Sequence, residues 1–403
     1  MFLPIGDAPN PRSTPWVTYT LLAVNIAVFV LVSLPLSGAP ADFNDPLAQE
    51  YLRLLATEVG RPLTPVEAAS NVRAYDVFVL RYGFVPAAPS LLTAFTCMFL
   101  HGGLLHLAGN MLFLWIYGNN VEHRLGRAGY LAAYLGTGLA ATAAHYGLDP
   151  SSGVPTVGAS GAISGVLGLY FVFFPRNTVR VAVLLLPILA RVFEVPARLV
   201  LGAYLVLDNV VPVLLESASG GGGVAYGAHI GGFVAGLAAG FGIDRRERSA
   251  TPREFRGASG AAVTRGDAAA EAGAAVSRSL AHGDFEGAAK LLFGGGRLVE
   301  ATVTTPELLQ LARGLAERGR PKAALALLRR VVQRTPSGET AAVALLEIAA
   351  LERDALGRKP SAFQHLLDAV DACPESAEAG AARDALGSIA HEYRPPLRDR
   401  RWR

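Results

Sequence analysis

The chain has 403 residues, of which 51% are hydrophobic and 17% charged, with a mean hydropathy of +0.35. Soluble globular proteins carry about 25% charged residues, so this chain is too apolar to be soluble throughout and too long to be one small domain. With a net charge of only +3, nucleic acid is not an obvious partner, and none is expected. Two distant cysteines, Cys97 and Cys373, exclude a disulfide scaffold or a cysteine metal site. What remains is an all-α polytopic membrane protein with a soluble helical appendage.

A spanning helix needs about 20 mostly apolar residues. In chain order, spans are expected at 16–36, 104–121, 128–148, 160–174, 196–215 and 225–243, after a short cytoplasmic segment at 1–14. The first apolar run is longer than the h-region of a cleaved signal, so it counts as a span despite the small-residue site at Ala39-Pro40-Ala41. The connection at 37–90 is long, mildly acidic and rich in proline. The run 179–190 is too short to span and contains Pro187; it is expected to be an interfacial or re-entrant piece.

Arginine placement tests this six-span pattern. Arg124 and Arg127 follow the second span; Arg176, Arg180, Arg191 and Arg198 follow the fourth; Arg245, Arg246 and Arg248 follow the sixth. The connections after the third and fifth spans contain Asp149 and Glu216 and no Lys or Arg. By the positive-inside rule both termini are cytoplasmic.

Beyond the spans, residues 244–270 have the composition of a linker, and 271–403 carry Ala/Leu-rich helical patterns. HGDFEGAAKLL, RGRPKAALALL and LGRKPSAFQHLL recur, with Gly283, Gly319 and Gly357 spaced by 36 and 38 residues. That period is typical of paired-helix solenoids. The tail weakly resembles tetratricopeptide repeats and is expected to dock a cytoplasmic partner or to organise oligomers. A plain helical bundle is the alternative.

Polar groups inside a membrane cost free energy and usually mark function. Three clusters stand out: His101-Gly-Gly-Leu-Leu-His106-Leu-Ala-Gly-Asn110, Gly158-Ala-Ser160-Gly161, and Ala228-His229-Ile-Gly231-Gly232. His106 and Asn110 are four apart and share a helix face. The spans bearing these clusters all begin on one side, so His106, Asn110, Ser160 and His229 lie at one depth below the outer surface. A serine, a base and extra donors are what acyl transfer requires. Gly161/Gly165 and Gly232/Gly236 repeat at i, i+4, a spacing that lets helix backbones approach closely in lipid.

Together HGGLLHLAGNMLFLWIYGNNVE, GASG and AHIGGFVAG resemble the rhomboid intramembrane serine proteases over roughly residues 15–243. The resemblance implies Ser160 as nucleophile and His229 as its base and acid, a dyad without aspartate. His106, Asn110 and the Ser160 backbone N–H would form the oxyanion hole. His101 and Glu122 would be structural supports, and Gly161 and Gly232 would serve helix packing. It implies no metal or organic cofactor, and substrates that are single-span membrane proteins entering from the bilayer. One departure is that many relatives have a Trp-Arg pair where this chain reads Leu92-Thr93.

An inactive relative that binds membrane-protein clients is the main alternative. It is opposed by the presence of Ser160, His229, His106 and Asn110. A transporter would favour polar clusters at the midplane; the cluster here sits near one face, and no basic or acidic residue faces it inside the spans. Arg-rich, Lys-poor and lacking an Arg/Ser-rich transit segment, the chain is expected in a bacterial inner membrane, with its active site opening outward.

Overall fold

A computed structural model describes residues 2–11, 14–185, 189–212, 226–249, 252–255 and 266–393. The chain divides into two compact units, Met1–Phe241 and Gly242–Arg403, and each is described on its own.

The first unit opens with strand β1 (Phe2–Ala8), followed by the apolar helix α1 (Trp16–Gly38). At about 1.5 Å per residue its 23 residues reach about 35 Å, enough to cross a bilayer. The 37–90 connection then folds into α2 (Pro46–Val59), α3 (Pro65–Asn71) and α4 (Ala74–Tyr82). Asp45 and Thr64 cap the first two of these helices, each with proline in the first turn, and Thr64 and Glu67 close a capping box. Ala41, Ala48, Val72 and Val77 form a small core beneath them.

Helix α5 (Leu91–Thr96) and the 3₁₀ turn Cys97–Phe99 lead into α6 (Leu104–Leu148), which lies 90° from them. Gly126 interrupts α6 with φ 74° and ψ 165°, between the expected second and third spans. Helix α7 (Ser160–Phe173) has only 14 residues, and ten consecutive positions from Gly161 to Tyr170 are buried. A helix apolar on all sides belongs in a protein interior, and this one is the centre of the unit. Helices α8 (Ala197–Leu205, continuing through the π turn Val206–Val210) and α9 (Tyr226–Ser249) complete it. The end of the expected fifth span, 213–215, and residue 225 lie outside the described residues.

Among the described residues, two helices qualify by length and composition alone to cross a membrane, Trp16–Gly38 and Tyr226–Glu247; the bent pair at 91–148 raises this to three if it counts as one span.

The unit is not purely helical. Strand β1 pairs with β2 (Thr178–Leu185), and β2 with β3 (Leu189–Pro196), as an antiparallel sheet in the order β1-β2-β3. The all-α expectation is corrected here: within the run 179–190, residues 179–185 and 189–190 are strand. Hydropathy shows a short apolar run without distinguishing strand from helix. The β-branched valines of VRVAV and VFEV favour the pleated form. Part of the expected N-terminal segment supplies the third strand.

Asp7, at the end of β1, is buried. Its carboxylate accepts from the Tyr170 hydroxyl and from the Asn120 amide, each at 2.6 Å. Burial outweighs these bonds and pushes its pKa up to about 7. The folded protein therefore prefers protonated Asp7. The stability this group contributes is complete below pH ~4 and is lost as pH rises to about 7, on the order of 4 kcal/mol in all. Asp7→Asn, which mimics the protonated form, is expected to melt higher than wild type at pH 8 and equally at pH 4. Equal melting temperatures at both pH values would contradict this.

The second unit is helical: α10 (Gly266–Ala281), α11 (Phe285–Thr302), α12 (Thr305–Glu317), α13 (Pro321–Arg334), α14 (Glu339–Ala350), α15 (Lys359–Ala372) and α16 (Ala377–Tyr393). Gly283, Gly319 and Gly357 sit in the turns of three successive helix pairs with φ of 72°, 72° and 66°. Each adopts the left-handed conformation that ends a helix and that glycine reaches without strain. Helices run into both ends of the expected 244–270 linker: α9 continues to Ser249, and α10 begins at Gly266. The Arg/Glu-rich IDRRERS segment consists mostly of good helix formers.

Candidate active site

Ser160 is the first residue of α7, the helix buried at the centre of the unit. The backbone N–H groups of a helix's first turn have no intrahelical acceptor, and the helix dipole favours negative charge there. The loop before Ser160 is fixed on two sides. Thr156 exchanges two backbone hydrogen bonds with Phe84, and the Gly158 amide donates to the Cys97 carbonyl at 2.9 Å. The folded first connection and the 3₁₀ turn thus both hold the approach to Ser160.

Helix α9 lies against α7 at glycine contacts. A Cβ added to Gly232 would overlap the Gly161 carbonyl oxygen, and one added to Gly236 would overlap that of Gly165. On another side of α7, a Cβ on Gly165 would strike Thr137 of α6, and one on Gly161 would lie 2.8 Å from the Ala141 Cβ. This close approach brings His229 to Ser160: its Nε2 is 2.8 Å from the serine Oγ. The other ring nitrogen, Nδ1, is 2.7 Å from Oδ1 of Asn209, in the π turn that follows α8.

His106 is near the start of α6. Its Nε2 and the Ser160 Oγ both border Gly158, at 2.8 and 3.5 Å from where a Cβ would stand. Gly158 has φ 128°, so a side chain there would be strained as well as crowded. Asn110 is buried, and its amide nitrogen has no protein partner, leaving a donor available. His101 is fully buried, with its ring edge-on to His106 at a centroid distance of 5.2 Å. The Tyr75 hydroxyl, from α4, donates to the His101 carbonyl at 2.7 Å.

Glu122 stands apart from this group. Its carboxylate accepts from the Val17 and Thr18 amides at 2.9 and 2.8 Å and from the Thr18 hydroxyl at 2.8 Å. It thereby closes the N-terminal turn of α1, where a negative charge is favoured.

Three contributors went unnoticed in the sequence. Asn209 and Tyr204 lie on the helix that packs beside the pair, with the Tyr204 hydroxyl 3.2 Å from Ser164 Oγ. His145, in the last turn of α6, lines a small cavity with Ser160, Gly158, Thr142 and Cys97. Asn209 was detectable from a polar residue inside the apolar stretch LVLDNVVPVLL, by the same logic that singles out His106 and His229.

A buried helix whose N-terminus presents a serine to a histidine on a neighbouring apolar helix defines a helical membrane protein with a Ser-His site. Residues 88–246 match the family model described as the Rhomboid domain. It is 31% identical over 155 residues to the presenilin-associated rhomboid-like protein, mitochondrial, of Bos taurus, covering 38% of this chain and 37% of that one. It is 27% identical over 231 residues to RHOMBOID-like protein 1 of Arabidopsis thaliana, covering 56% and 53%. It is 26% identical over 245 residues to Rhomboid protein 1, mitochondrial, of Saccharomyces cerevisiae, covering 60% and 57%. The chain thus matches between about two fifths and three fifths of the length of these relatives.

The relatives also correct the expected compartment. The cattle and yeast relatives are named as mitochondrial and the third is from a plant, which contradicts the expectation of a bacterial inner membrane. Arginine asymmetry orients spans relative to one another. It does not say which membrane they cross.

Proposed function

We propose that this rhomboid domain is an intramembrane serine endopeptidase that cleaves single-span membrane proteins. The observation that carries the reading is the 2.8 Å contact between Ser160 Oγ and His229 Nε2 at the N-terminus of a buried helix. A serine hydroxyl becomes a useful nucleophile when a base at that distance takes its proton.

His229 Nε2 accepts the Ser160 proton as Oγ attacks the substrate carbonyl carbon. The carbonyl π pair moves to oxygen, and the tetrahedral oxyanion is met by His106, the Asn110 amide and the Ser160 N–H. The imidazolium then returns the proton to the leaving amine as the C–N bond breaks. Water, deprotonated by His229, attacks the acyl-enzyme, and the proton goes back to Ser160 as the acid product leaves.

Six spans fit this chemistry. Helix α6, divided at Gly126, supplies two of them, and α1, α7, α8 and α9 supply the rest. The 14 residues of α7 reach only about 21 Å against a hydrocarbon core of ~30 Å. If Phe173 lies at one membrane face, Ser160 lies roughly a third of the way in from the other, where water can reach it through a polar opening. The three glycine-turned helix pairs of the tail read as successive units of a helical solenoid.

The test is reconstitution in liposomes with a fluorescently labelled single-span substrate, alongside a fluorophosphonate probe. Wild type is expected to cleave and to be labelled, and Ser160→Ala to do neither. A folded wild-type sample that shows neither signal would overturn the reading in favour of a client-binding relative.

A further inference from the structure

We infer that Asn209 is a positioning residue of the site, holding the His229 ring in the tautomer that presents a bare Nε2 to Ser160. The inference rests on the serine-protease reading above and extends it from a pair to a relay of three side chains.

Asn209 is fully buried. Its amide nitrogen donates to the Tyr204 carbonyl at 2.9 Å, five residues back, where the π turn opens the helix. With that nitrogen committed, the amide orientation is fixed and Oδ1 faces His229 Nδ1 at 2.7 Å. An amide oxygen only accepts, so Nδ1 carries the hydrogen. A neutral imidazole has one N–H, so Nε2 is left with its lone pair, 2.8 Å from the Ser160 hydroxyl. That is the form a general base must have. The same bond strengthens when the ring becomes cationic, because the donor is then charged. Asparagine gives this orientation without placing a second charge in a buried site, as it does in Cys-His-Asn proteases.

A second contact argues against a bond of packing alone. Tyr204, one and a half turns before Asn209, reaches Ser164 in the first turn beyond Ser160. One short segment therefore holds both helices that carry the pair. Displacing it would both free the His229 ring and loosen the helix that carries Ser160.

The experiment uses the full chain in nanodiscs, with ¹⁵N-histidine spectra and the pH dependence of cleavage for wild type, Asn209→Ala and the near-isosteric Asn209→Asp. The His229 signals are assigned by their loss in His229→Gln. Wild type is expected to show His229 protonated at Nδ1, and Asn209→Ala a mixture of tautomers. Asn209→Ala is expected to lower kcat about 10- to 100-fold, the range found for losing the partner that orients a metal-ligating histidine, with KM little changed. Asn209→Asp is expected to retain more activity and to move the acidic limb of the kcat/KM profile to higher pH by about one unit, because the new charge favours imidazolium. A wild-type His229 protonated at Nε2, or unaltered tautomer and pH profile in both variants, would overturn the inference. If wild type neither cleaves nor takes the fluorophosphonate, the protease reading fails instead, while the spectra still decide the tautomer.

Discussion

His229→Ala is expected to lower turnover of a single-span substrate by about 10⁴-fold or more, Ser160→Ala by a similar factor, and the double variant by no more than either. The reason is geometric. Ser160 Oγ and His229 Nε2 share one proton path across 2.8 Å, so removing either partner ends the same step. Without the histidine the hydroxyl keeps its proton, and without the serine the histidine has nothing to activate in the first half of the reaction. Residual catalysis would come from the oxyanion donors, which neither substitution touches. Single-turnover rates in liposomes provide the measurement, with melting temperatures showing that each variant is folded. If the losses multiplied in the double variant, the two residues would act independently and the proposed relay would be wrong.

The pairing of Ser160 with His229 could be anticipated because the bilayer makes polar side chains conspicuous. Against the background of an apolar span, His106, Asn110, Ser160 and His229 are expensive residues, and their depths follow from the order of the spans. Glycines at i, i+4 foretold the close approach of α7 and α9 for the same kind of reason: only small residues allow backbone contact. Asn209 obeyed that rule too, but its polar neighbour Asp208 is adjacent in the chain, so the two do not share a helix face and no pair at helical spacing drew notice.

The sheet was harder to anticipate. Strand β1 contains a proline and a glycine within Phe2–Ala8, and β2 and β3 are eight-residue segments interrupted by Arg180, Arg191 and Glu194, too short for periodicity to separate strand from helix. The pairing of β1 with β2 joins residues about 170 to 180 positions apart, which no local pattern records. The first connection had clearer signals. Asp45-Pro46 and Thr64-Pro65-Val66-Glu67 are helix starts by residue type and spacing, within a stretch otherwise legible only as a long, proline-rich connection.

Gly236→Leu is expected to destabilise the protein by about 3 kcal/mol and to abolish cleavage. The backbones of α7 and α9 meet so closely at Gly236 that a Cβ would occupy the space of the Gly165 carbonyl oxygen. That oxygen belongs to the backbone of a buried helix and cannot swing aside as a side chain would. Helix α7 cannot retreat either, because Gly165 already rests against Thr137 of α6. The remaining response is for α9 to move outward, carrying His229, two turns earlier, away from Ser160. A hydrogen bond at 2.8 Å does not survive a displacement of an ångström or more. Gly236→Ala should show the same effects in smaller measure. Gly136→Ala provides the contrast, because its Cβ would meet nothing within 4 Å. It removes a flexible residue from a helix interior and is expected to leave activity unchanged and stability equal or slightly higher. Thermal melts and cleavage rates of the three variants check this. Wild-type behaviour of Gly236→Leu would mean that α7 and α9 do not need backbone contact, and the link from the glycine spacing to the Ser-His geometry would fail.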